Sequence, residues 1–369
     1  MSKSKLFYLT YQTFPAQTAN SLQTISNIKY LVRNNLEVSL YFPLREKQSN
    51  DEILTLQKFY EFSESVNTVG VKHSYPHGKI KIFPKLWFHL SHFLWSKKLI
   101  NNNFKNNTDD NFLTRSEWIA YFLAKQGSKV VFECHQPSRV RNFVINNIGI
   151  LNNVKFVFLN ENLQNKYQNL KNSVVLHNGV DGALFKEKED REDGLIIFLG
   201  NTNRFNKSRG IGETIIWFSD NYLKENYKLE IIGGSKQDCK YLNDAISELN
   251  LSNIVKTSPW VGRKEAAKKL SRAKFGLLIN TPDNEHSYLY TSPLKYFEYL
   301  YSGLAVIAVD FPSHRSLPLS EKVEFFRNGD KEDFINKLKM LENVDKLSED
   351  EKYSISLDNR AKLLIEYIF

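Results

Sequence analysis

The stretch Thr291–Asp310, TSPLKYFEYLYSGLAVIAVD, could bind a phosphorylated ligand at the start of a helix. Ser292 is a suitable N-cap and Pro293 a suitable first helical residue. The free backbone N–H groups and the positive dipole end at a helix N-terminus bind phosphate readily. Lys295 and Glu298 lie three residues apart and share one helical face near that end, where Glu298 could accept hydrogen bonds from ribose hydroxyls. An ordinary capped helix with a surface Lys–Glu pair explains the same spacing.

Two further stretches follow predicted strands and could contact the same ligand. In Phe198–Gly210, FLGNTNRFNKSRG, a glycine is followed by the basic residues Arg204, Lys207 and Arg209. Such a loop could hold a diphosphate through charge-assisted hydrogen bonds, although a solvated basic loop is the simpler interpretation. In Val174–Phe185, VVLHNGVDGALF, the Asn-Gly pair is typical of a tight turn at a strand exit.

The elements that would position these loops alternate between strands and helices. Short β-branched or aromatic runs predict strands, and apolar residues at helical spacing predict helices between them, as in Asn20–Asn34 and Arg263–Ala273. The predicted strands are Lys5–Leu9, Leu36–Phe42, Asn111–Thr114, Lys129–Glu133, Lys155–Leu159, Ser173–Leu176, Leu195–Leu199, Lys228–Ile232, Asn253–Lys256, Phe275–Ile279 and Ala305–Val309. Strands separated by helices form parallel sheets covered on both faces. Ligands of such sheets bind beyond the carboxyl ends of the strands.

The sequence predicts two domains of the same class. A charged segment, Lys186–Gly194, separates two runs of strands and helices and has the composition of a surface hinge. We therefore expect an α/β protein with two Rossmann-like domains whose parallel sheets face a cleft, the first over residues 1–185 and the second over residues 186–347. Residues 348–369 are expected to form terminal helices that pack back toward the first domain.

Composition excludes several classes of protein. The 369 residues are 41% hydrophobic and 13% aromatic, which is too apolar for a disordered chain. Two cysteines, Cys134 and Cys239, exclude a disulfide framework or a cysteine-based zinc cluster and favour a reducing compartment. The net charge of +9 suits an anionic substrate or membrane surface, and no nucleic-acid-binding signature accompanies it. We recognise neither a signal peptide nor a transmembrane stretch in the sequence. We therefore expect a cytoplasmic protein, either unattached or bound at the cytoplasmic face of the inner membrane.

Taken in order, the functional stretches resemble the retaining glycosyltransferases of family 4, which have the two-Rossmann-domain glycosyltransferase B fold. The turn His177–Asp181, the loop Gly200–Gly210 and the block Ser292–Ala308 are similar to motifs of the C-terminal half of that family. The segment Thr257–Val261 resembles the loop beside the nucleotide base. The stretches of the N-terminal half that resemble segments of bacterial members are Phe14–Thr24, Thr114–Ser116, Val130–His135 and Phe158–Leu163.

The resemblance implies transfer of a sugar from a nucleoside diphosphate sugar, with UDP favoured over GDP, to a saccharide or lipid-linked acceptor with retained anomeric configuration. It implies a place in bacterial surface polysaccharide or glycoconjugate synthesis. It implies no metal or other cofactor, because the protein itself neutralises the leaving diphosphate. By position, Glu298 would bind the ribose and the amides around Ser292 would face the diphosphate. The catalytic candidates are His135, Arg204, Lys207 and Arg209.

The remaining candidate residues are assigned by their positions in the resemblance. Those of the nucleotide-sugar site, besides Ser292 and Glu298, are Gly200, Pro259, Trp260, Val261, Pro293, Leu294 and Lys295. Those for the donor sugar are Asn284, Glu285 and Tyr290. Those for the acceptor or a hinge are Thr18, Asn20, Arg139 and Asn178. Many family members carry a glutamate eight residues before the ribose-binding one, and here that position is Tyr290.

Residues 72–105 are rich in Lys, His, Phe and Trp and leave two interpretations open. The segment LWFHLSHFLWSKKL could form an interfacial helix that meets anionic lipid headgroups through Lys97 and Lys98. The interpretation that we favour is a domain helix with solvated lysines whose core contacts are Leu86, Leu90, Phe93 and Leu94.

Three alternative functions differ in class. A catalytically silent relative would bind a nucleotide sugar and act as a scaffold. Another two-Rossmann enzyme, such as a non-hydrolysing epimerase, would act on the nucleotide sugar itself. A nucleic-acid binder is supported only by the net charge.

Overall fold

The computed structural model describes residues 4–77, 79–80, 82–185, 190–204, 207–341 and 346–369, without the side chains of Arg204, Lys207 and Ser208. The chain divides into two units. Unit 1 comprises residues 1–176 and 357–369, and unit 2 comprises residues 177–356. Strands and helices are numbered along the chain.

Unit 1 is built on a parallel sheet of seven strands in the order β3-β2-β1-β4-β5-β6-β7. The strands are β1 (Lys5–Leu9), β2 (Glu37–Leu44), β3 (Asn67–Lys72), β4 (Asn111–Thr114), β5 (Lys129–Cys134), β6 (Val154–Phe158) and β7 (Ser173–Val175). The helices between them are α1 (Ala19–Arg33), α2 (Ile53–Tyr60), α3 (Pro84–Asn103), α4 (Glu117–Lys125), α5 (Arg139–Ile148) and α6 (Glu161–Asn165). The strand order reverses between β1 and β4, and such a switch point is where Rossmann sheets form their ligand crevice.

Unit 2 repeats this plan with a parallel sheet of six strands in the order β12-β11-β8-β13-β14-β15. Its strands are β8 (Leu195–Leu199), β11 (Lys228–Ile232), β12 (Val255–Ser258), β13 (Phe275–Leu278), β14 (Ala305–Val309) and β15 (Val323–Phe326), with an antiparallel hairpin of β9 (Asn203–Arg204) and β10 (Lys207–Ser208). Its helices are α7 (Ile211–Trp217), α8 (Asn221–Asn226), α9 (Lys236–Glu248), α10 (Arg263–Arg272), α11 (Leu294–Tyr301), α12 (Pro312–Arg315), α13 (Lys331–Met340) and α14 (Glu349–Ser354). The switch point lies between β8 and β13.

Alternation of side chains along β8 explains why the sheet of unit 2 is covered on both faces. Ile196 and Phe198 pack into one apolar cluster, whereas Leu195, Ile197 and Leu199 pack into the other. Successive side chains of a strand point to opposite faces, so an unbroken apolar run requires a helix layer on each side. Burial of this strand fixes the position of the loop that follows it.

The boundaries between the two units differ from the domain boundaries predicted from the sequence. The first crossing lies at residues 176/177 rather than 185/186, because the turn after β7 belongs to unit 2, where the Val180 amide donates to the carbonyl of Ile355. The second crossing lies at residues 356/357, so α14 belongs to unit 2, whereas the last helix, α15 (Leu357–Ile368), packs on the core of unit 1.

The predicted hinge Lys186–Gly194 lies partly outside the described residues, and its described part is held within unit 2. The Arg191 guanidinium donates to the carbonyl of Ser302 at 2.6 Å and to that of Gly303. Glu192 pairs with Lys228 at 2.6 Å. Because these contacts all lie within one unit, residues 190–194 form an edge of unit 2 and not a linker.

Helix α3 packs only partly through the face expected, with Phe93 half-buried against Trp118 and Phe122. Its buried residues are Ser91, His92, Trp95, Ser96, Leu99 and Ile100. Leu86 and Leu90, which we expected in the core, are exposed. The buried stripe contains two serines and a histidine, so hydrophobic periodicity could not identify it. No helix in the described part of the chain is both long and apolar enough to cross a membrane.

Candidate active site

The loop after β8 begins with a close approach between two strand ends. A side chain on Gly233, whose φ is +136°, would collide with the carbonyl oxygen of Gly200. The Gly200 amide donates to the carbonyl of Ile232 at 2.9 Å. Glycine at position 233 is therefore needed for the ends of β8 and β11 to meet at the carboxyl edge of the sheet.

Arg209 is the basic residue of this loop whose side chain is buried and defined. Its Nη1 donates to the carbonyl of Asn201 at 3.3 Å and its Nη2 to the carbonyl of Ile279 at 3.1 Å. The guanidinium carbon lies 5.4 Å from the centroid of the Phe198 ring. Since Asn201 follows β8 and Ile279 follows β13, these bonds place a fixed cation at the switch point of the sheet. Arg204 and Lys207 lie in the β9–β10 hairpin, and their side chains are outside the described residues.

Helix α11 starts one residue later than the sequence predicted. Pro293, and not Ser292, is its N-cap, with extended backbone angles of −74° and 128°. The Ser292 hydroxyl instead accepts from the amide of Asn178 at 3.4 Å, and the Asn178 side-chain amide donates to the Ser292 carbonyl at 2.6 Å. Asn178 thus holds the loop that leads into α11. Proline has no hydroxyl to cap the helix, so α11 begins without a side-chain cap among the described residues.

Glu298 and Lys295 share one face of α11, as predicted. The Lys295 ammonium donates to Glu298 Oε2 at 2.6 Å. The neighbouring Tyr299 is buried and accepts the Leu199 amide at 2.8 Å, and Gly276 leaves room for its ring. Burial raises the pKa of the Tyr299 hydroxyl, so it stays neutral. Tyr299 therefore fixes α11, with Glu298 on it, against the end of β8.

The donor-sugar candidates follow β13 and form hydrogen bonds within their own loop. Asn284 Oδ1 accepts from the Ser287 amide at 3.1 Å, next to a π-helical turn over His286–Tyr290. The Tyr290 hydroxyl donates to Glu285 Oε1 at 2.9 Å. These bonds define the shape of the loop. Tyr290 is buried at the position where many family 4 members carry a glutamate, and the carboxylate that its hydroxyl contacts is that of Glu285.

The base-side candidates follow β12. Trp260, which stands between Pro259 and Val261 in the sequence, is 57% exposed. Its backbone amide donates to the carbonyl of Gly234 at 3.3 Å. A large exposed indole offers a stacking surface for a planar ring. The loop thus has the chemistry to contact a nucleoside base.

Unsatisfied polar atoms collect at this same carboxyl edge. Thr202 Oγ1, Ser258 Oγ and Asn280 Nδ2 are buried without a hydrogen-bond partner in the described part of the chain. These residues follow or end β8, β12 and β13. An unpaired buried polar atom costs about 1–3 kcal/mol, so such atoms favour a polar ligand at this edge. The sequence contained no local signal for these three residues.

In unit 1, His135 follows β5 and is held between two charged residues. Arg115 Nη2 donates to His135 Nδ1 at 2.6 Å, and His135 Nε2 donates to the buried carboxylate of Glu133. Burial and the Arg115 charge lower the pKa of His135 to about 3, so the imidazole is neutral. Both ring nitrogens are engaged within the unit.

Two residues that the sequence analysis did not select complete this network. Arg360, on α15, lies 3.2 Å from Glu133 Oε1. Burial alone would raise the pKa of Glu133, but Arg360 and His135 lower it below its ordinary value. A glutamate within an apolar strand, as at Glu133, is a signal in the sequence for a functional or paired carboxylate. Arg360 lies too far along the chain for its pairing with Glu133 to be predicted. Of the acceptor candidates, Asn20 accepts from Arg115 at 3.4 Å.

The other acceptor candidates in unit 1 lie at helix starts. Thr18 is the N-cap of α1, and its hydroxyl accepts from the Ser21 amide at 3.2 Å. Arg139 is the exposed first residue of α5. Among the residues that the structure describes, no group of three or more His, Cys, Asp or Glu side chains could hold a metal ion.

Comparisons with known proteins establish the fold. No family model and no curated protein matches the sequence. Among solved structures, a sucrose-phosphate synthase from Thermosynechococcus elongatus aligns with a TM-score of 0.67 at 12% identity, covering 100% of this chain and 95% of that one. A glycosyltransferase from Rickettsia africae aligns with a TM-score of 0.64 at 13% identity, covering 100% of this chain and 98% of that one. HepE from Anabaena, in complex with UDP and glucose, aligns with a TM-score of 0.57 at 13% identity, covering 99% of this chain and 95% of that one. The chain therefore has the glycosyltransferase B fold, which confirms the predicted fold class.

Proposed function

We propose that this protein is a glycosyltransferase of family 4 that transfers a sugar from a nucleoside diphosphate sugar to a saccharide or lipid-linked acceptor with retention. The observation that carries the proposal is the composition of the carboxyl edge of unit 2. There, the fixed Arg209 cation, the uncapped start of α11 and the carboxylate of Glu298 are attached to the loops around one switch point. HepE, which shares the fold, binds UDP and glucose.

Each of these groups has a chemical task in the proposed reaction. The first amides of α11, near Leu294 and Lys295, and the Arg209 guanidinium would bind the diphosphate and stabilise the charge that it gains on leaving. Glu298 would accept hydrogen bonds from the ribose hydroxyls. Trp260 would contact the base. With this neutralisation supplied by the protein, the proposed reaction needs no metal ion, and the departing phosphate oxygen can help to deprotonate the acceptor.

The proposal is tested by incubating the protein with sugar nucleotides of uridine, guanosine, adenosine and cytidine, each with an acceptor mixture and with or without EDTA. We expect release of one nucleotide product and formation of a glycoside whose anomeric configuration, measured by NMR, matches that of the donor. A protein that binds nucleotide but releases none would be a silent scaffold. Conversion of the donor into its epimer would indicate a nucleotide-sugar epimerase instead.

Replacing His135 by alanine should reduce transfer about tenfold without weakening nucleotide binding. The imidazole accepts a hydrogen bond from Arg115 at Nδ1, so its loss leaves a charged guanidinium without that partner. Leaving a buried donor unpaired costs about 1–3 kcal/mol, and a tenfold loss of rate corresponds to roughly 1.4 kcal/mol. Steady-state kinetics and nucleotide titration measure the two effects separately. His89→Ala, at an exposed histidine of the same unit, is the matched control. Equal turnover in the two variants would remove His135 from the site.

We also propose that the described residues around the start of α3 contact anionic membrane. Five of their apolar side chains are 40–71% exposed, namely Ile80, Ile82, Phe83, Leu86 and Leu90. Phe83 is also the N-cap of α3 in a left-handed conformation with φ +51°, an unfavourable position for an aromatic residue. No Asp or Glu occurs between Ser65 and Thr108, whereas several lysines do. This combination suits an interface with anionic headgroups.

The double variant Phe83→Ser, Leu86→Ser should bind vesicles of phosphatidylglycerol at least tenfold more weakly than the unmodified protein. Burying one such side chain contributes roughly 1.5–3 kcal/mol. Co-sedimentation at low salt measures the effect, with neutral phosphatidylcholine vesicles for comparison. Ile150→Ser, Leu363→Ser removes two apolar side chains exposed elsewhere in unit 1 and should bind normally. An unmodified protein that stays in the supernatant with anionic vesicles would overturn this proposal.

A further inference from the structure

A second group of polar side chains lies at the carboxyl edge of unit 1. Tyr11, Arg45 and His73 follow β1, β2 and β3, which are neighbours in the sheet. The carboxyl ends of parallel strands lie at one edge, where α/β sheets bind their ligands. None of these three residues takes part in the proposed nucleotide site, which is in unit 2.

Tyr11 is the centre of the group. Its hydroxyl lies 2.8 Å from His73 Nε2, and its ring stacks on His92 of α3 with centroids 4.3 Å apart and planes 13° apart. The Arg45 guanidinium carbon lies 5.2 Å from the Tyr11 ring centroid. Arg45 and His73 are thus both packed against the same aromatic side chain.

Several buried nitrogen atoms in this group have no hydrogen-bond partner among residues that the structure describes. They are Arg45 Nη1, His73 Nδ1 and both ring nitrogens of His92. Arg45 uses its Nε to donate to Glu46 at 3.0 Å. If Tyr11 donates to His73 Nε2, then Nδ1 of His73 carries the proton and is a second unused donor. Leaving such donors buried and unpaired is costly unless a ligand accepts from them.

The local charge favours an anion as that ligand. Arg45 is a permanent cation. Burial, followed by the Arg45 charge, lowers the pKa of His73 to about 4, so this histidine is a neutral donor. Of the nearby carboxylates, the 40% exposed Glu46 pairs with Arg45 at Nε and also acts on His73, while Glu117 lies 3.9 Å from His92 and pairs with Arg141. Lys79 adds a second positive charge near His73, and Arg45 Nη1 has no partner among the described residues, so the edge keeps a positive charge and a free donor.

We infer that the edge formed by Tyr11, Arg45 and His73 binds an oxyanion group, phosphate or carboxylate, on the acceptor, so that the acceptor is an anionic saccharide. Arg45 Nη1 carries two N–H groups that can donate to either oxyanion, and the His73 Nδ1–H adds a third donor when Tyr11 donates to Nε2. The assignment of this ligand as the acceptor rests on the proposed function. The oxyanion site itself stands on the geometry of unit 1.

Isothermal titration with glucose 6-phosphate, glucuronate and glucose tests this inference on the full chain. We expect at least one charged sugar to bind about tenfold or more tightly than glucose, and Arg45→Gln to abolish that difference. The charged sugar that binds identifies the oxyanion. Arg45→Lys keeps the charge without the planar fork and should retain part of the preference, which keeps the test valid if the glutamine variant does not fold.

Arg33→Gln is the matched control, because Arg33 also pairs with a glutamate of unit 1 through Nε, at 2.6 Å to Glu64, but on an exposed surface. It should retain the full preference for the charged sugar. Equal binding of charged and neutral sugars, or an unchanged preference in Arg45→Gln, would overturn the inference. Titration with UDP in the same samples tests the proposed function separately. Failure of UDP to bind while a charged sugar binds through Arg45 would refute the nucleotide site and support the oxyanion site.

Discussion

Replacing Arg209 by glutamine is expected to lower the rate of sugar transfer by about 10²–10³-fold. Removing one preorganised donor to a developing negative charge has an effect of this size in enzyme sites. Arg209 can act in this way because its bonds to the carbonyls of Asn201 and Ile279 hold it before any ligand arrives. Single-turnover kinetics with the cognate sugar nucleotide measures the loss.

Two further variants separate the charge of Arg209 from its place in the fold. Arg209→Lys retains a cation but not the two fixed N–H groups, so its rate should fall between those of the unmodified enzyme and the glutamine variant. Arg272→Gln changes a partly exposed arginine of the same unit that pairs with Glu192 at 3.5 Å, and it should transfer normally. A glutamine variant that folds and transfers at the normal rate would show that Arg209 does not stabilise the leaving group.

Replacing Glu298 by alanine is expected to weaken nucleoside diphosphate binding by about 100-fold without unfolding the protein. A hydrogen bond to a charged group contributes roughly 1.5–3 kcal/mol, which corresponds to ~10–150-fold in affinity. The fold should tolerate the change, because the ion pair with Lys295 joins two partly exposed side chains that are 31% and 13% accessible. Calorimetric titration gives the affinity, and the melting temperature reports on folding.

Glu349→Ala provides the matched control for Glu298. Glu349 also forms a Lys–Glu pair at a spacing of three residues, at 2.6 Å to Lys352 on α14 of the same unit. Loss of that pair should leave nucleotide affinity unchanged. If Glu298→Ala binds UDP and GDP as tightly as this control does, then Glu298 does not contact the ribose.

The sequence was sufficient to predict most of the sheet architecture, because central strands of a parallel sheet are continuous apolar runs. Leu195–Leu199 and Ala305–Val309 were predicted with their observed ends. The edge strands Asn67–Lys72 and Val323–Phe326 were missed. The first begins at Asn67, contains Gly70 and is at most half-buried, so it has no continuous apolar run, and the second has four residues with Glu324 among them.

Features that depend on contacts between distant parts of the chain could not be predicted. Charge and composition suggested a hinge at Lys186–Gly194, whereas Arg191 fixes the described part of this segment to the end of α11. Ser292 has the right residue type for a helix cap, but its hydroxyl contacts the amide of Asn178 instead. The network around His135 includes Arg360 from the last helix of the chain. In each case the partner lies far away in the sequence, and local propensity carries no information about it.

The proposed function requires that unit 2 bind a nucleoside diphosphate without a metal ion. Thermal melting of the full chain with UDP, GDP, ADP and CMP, each with and without EDTA, tests it most directly, because a ligand that binds only the folded state raises the melting temperature by mass action. We predict a clear rise with one nucleoside diphosphate, UDP in the first instance, that EDTA does not reduce and that Glu298→Ala makes much smaller at the same ligand concentration. No rise with any nucleotide, or a rise that EDTA removes, would show that unit 2 does not bind nucleotide in the proposed way.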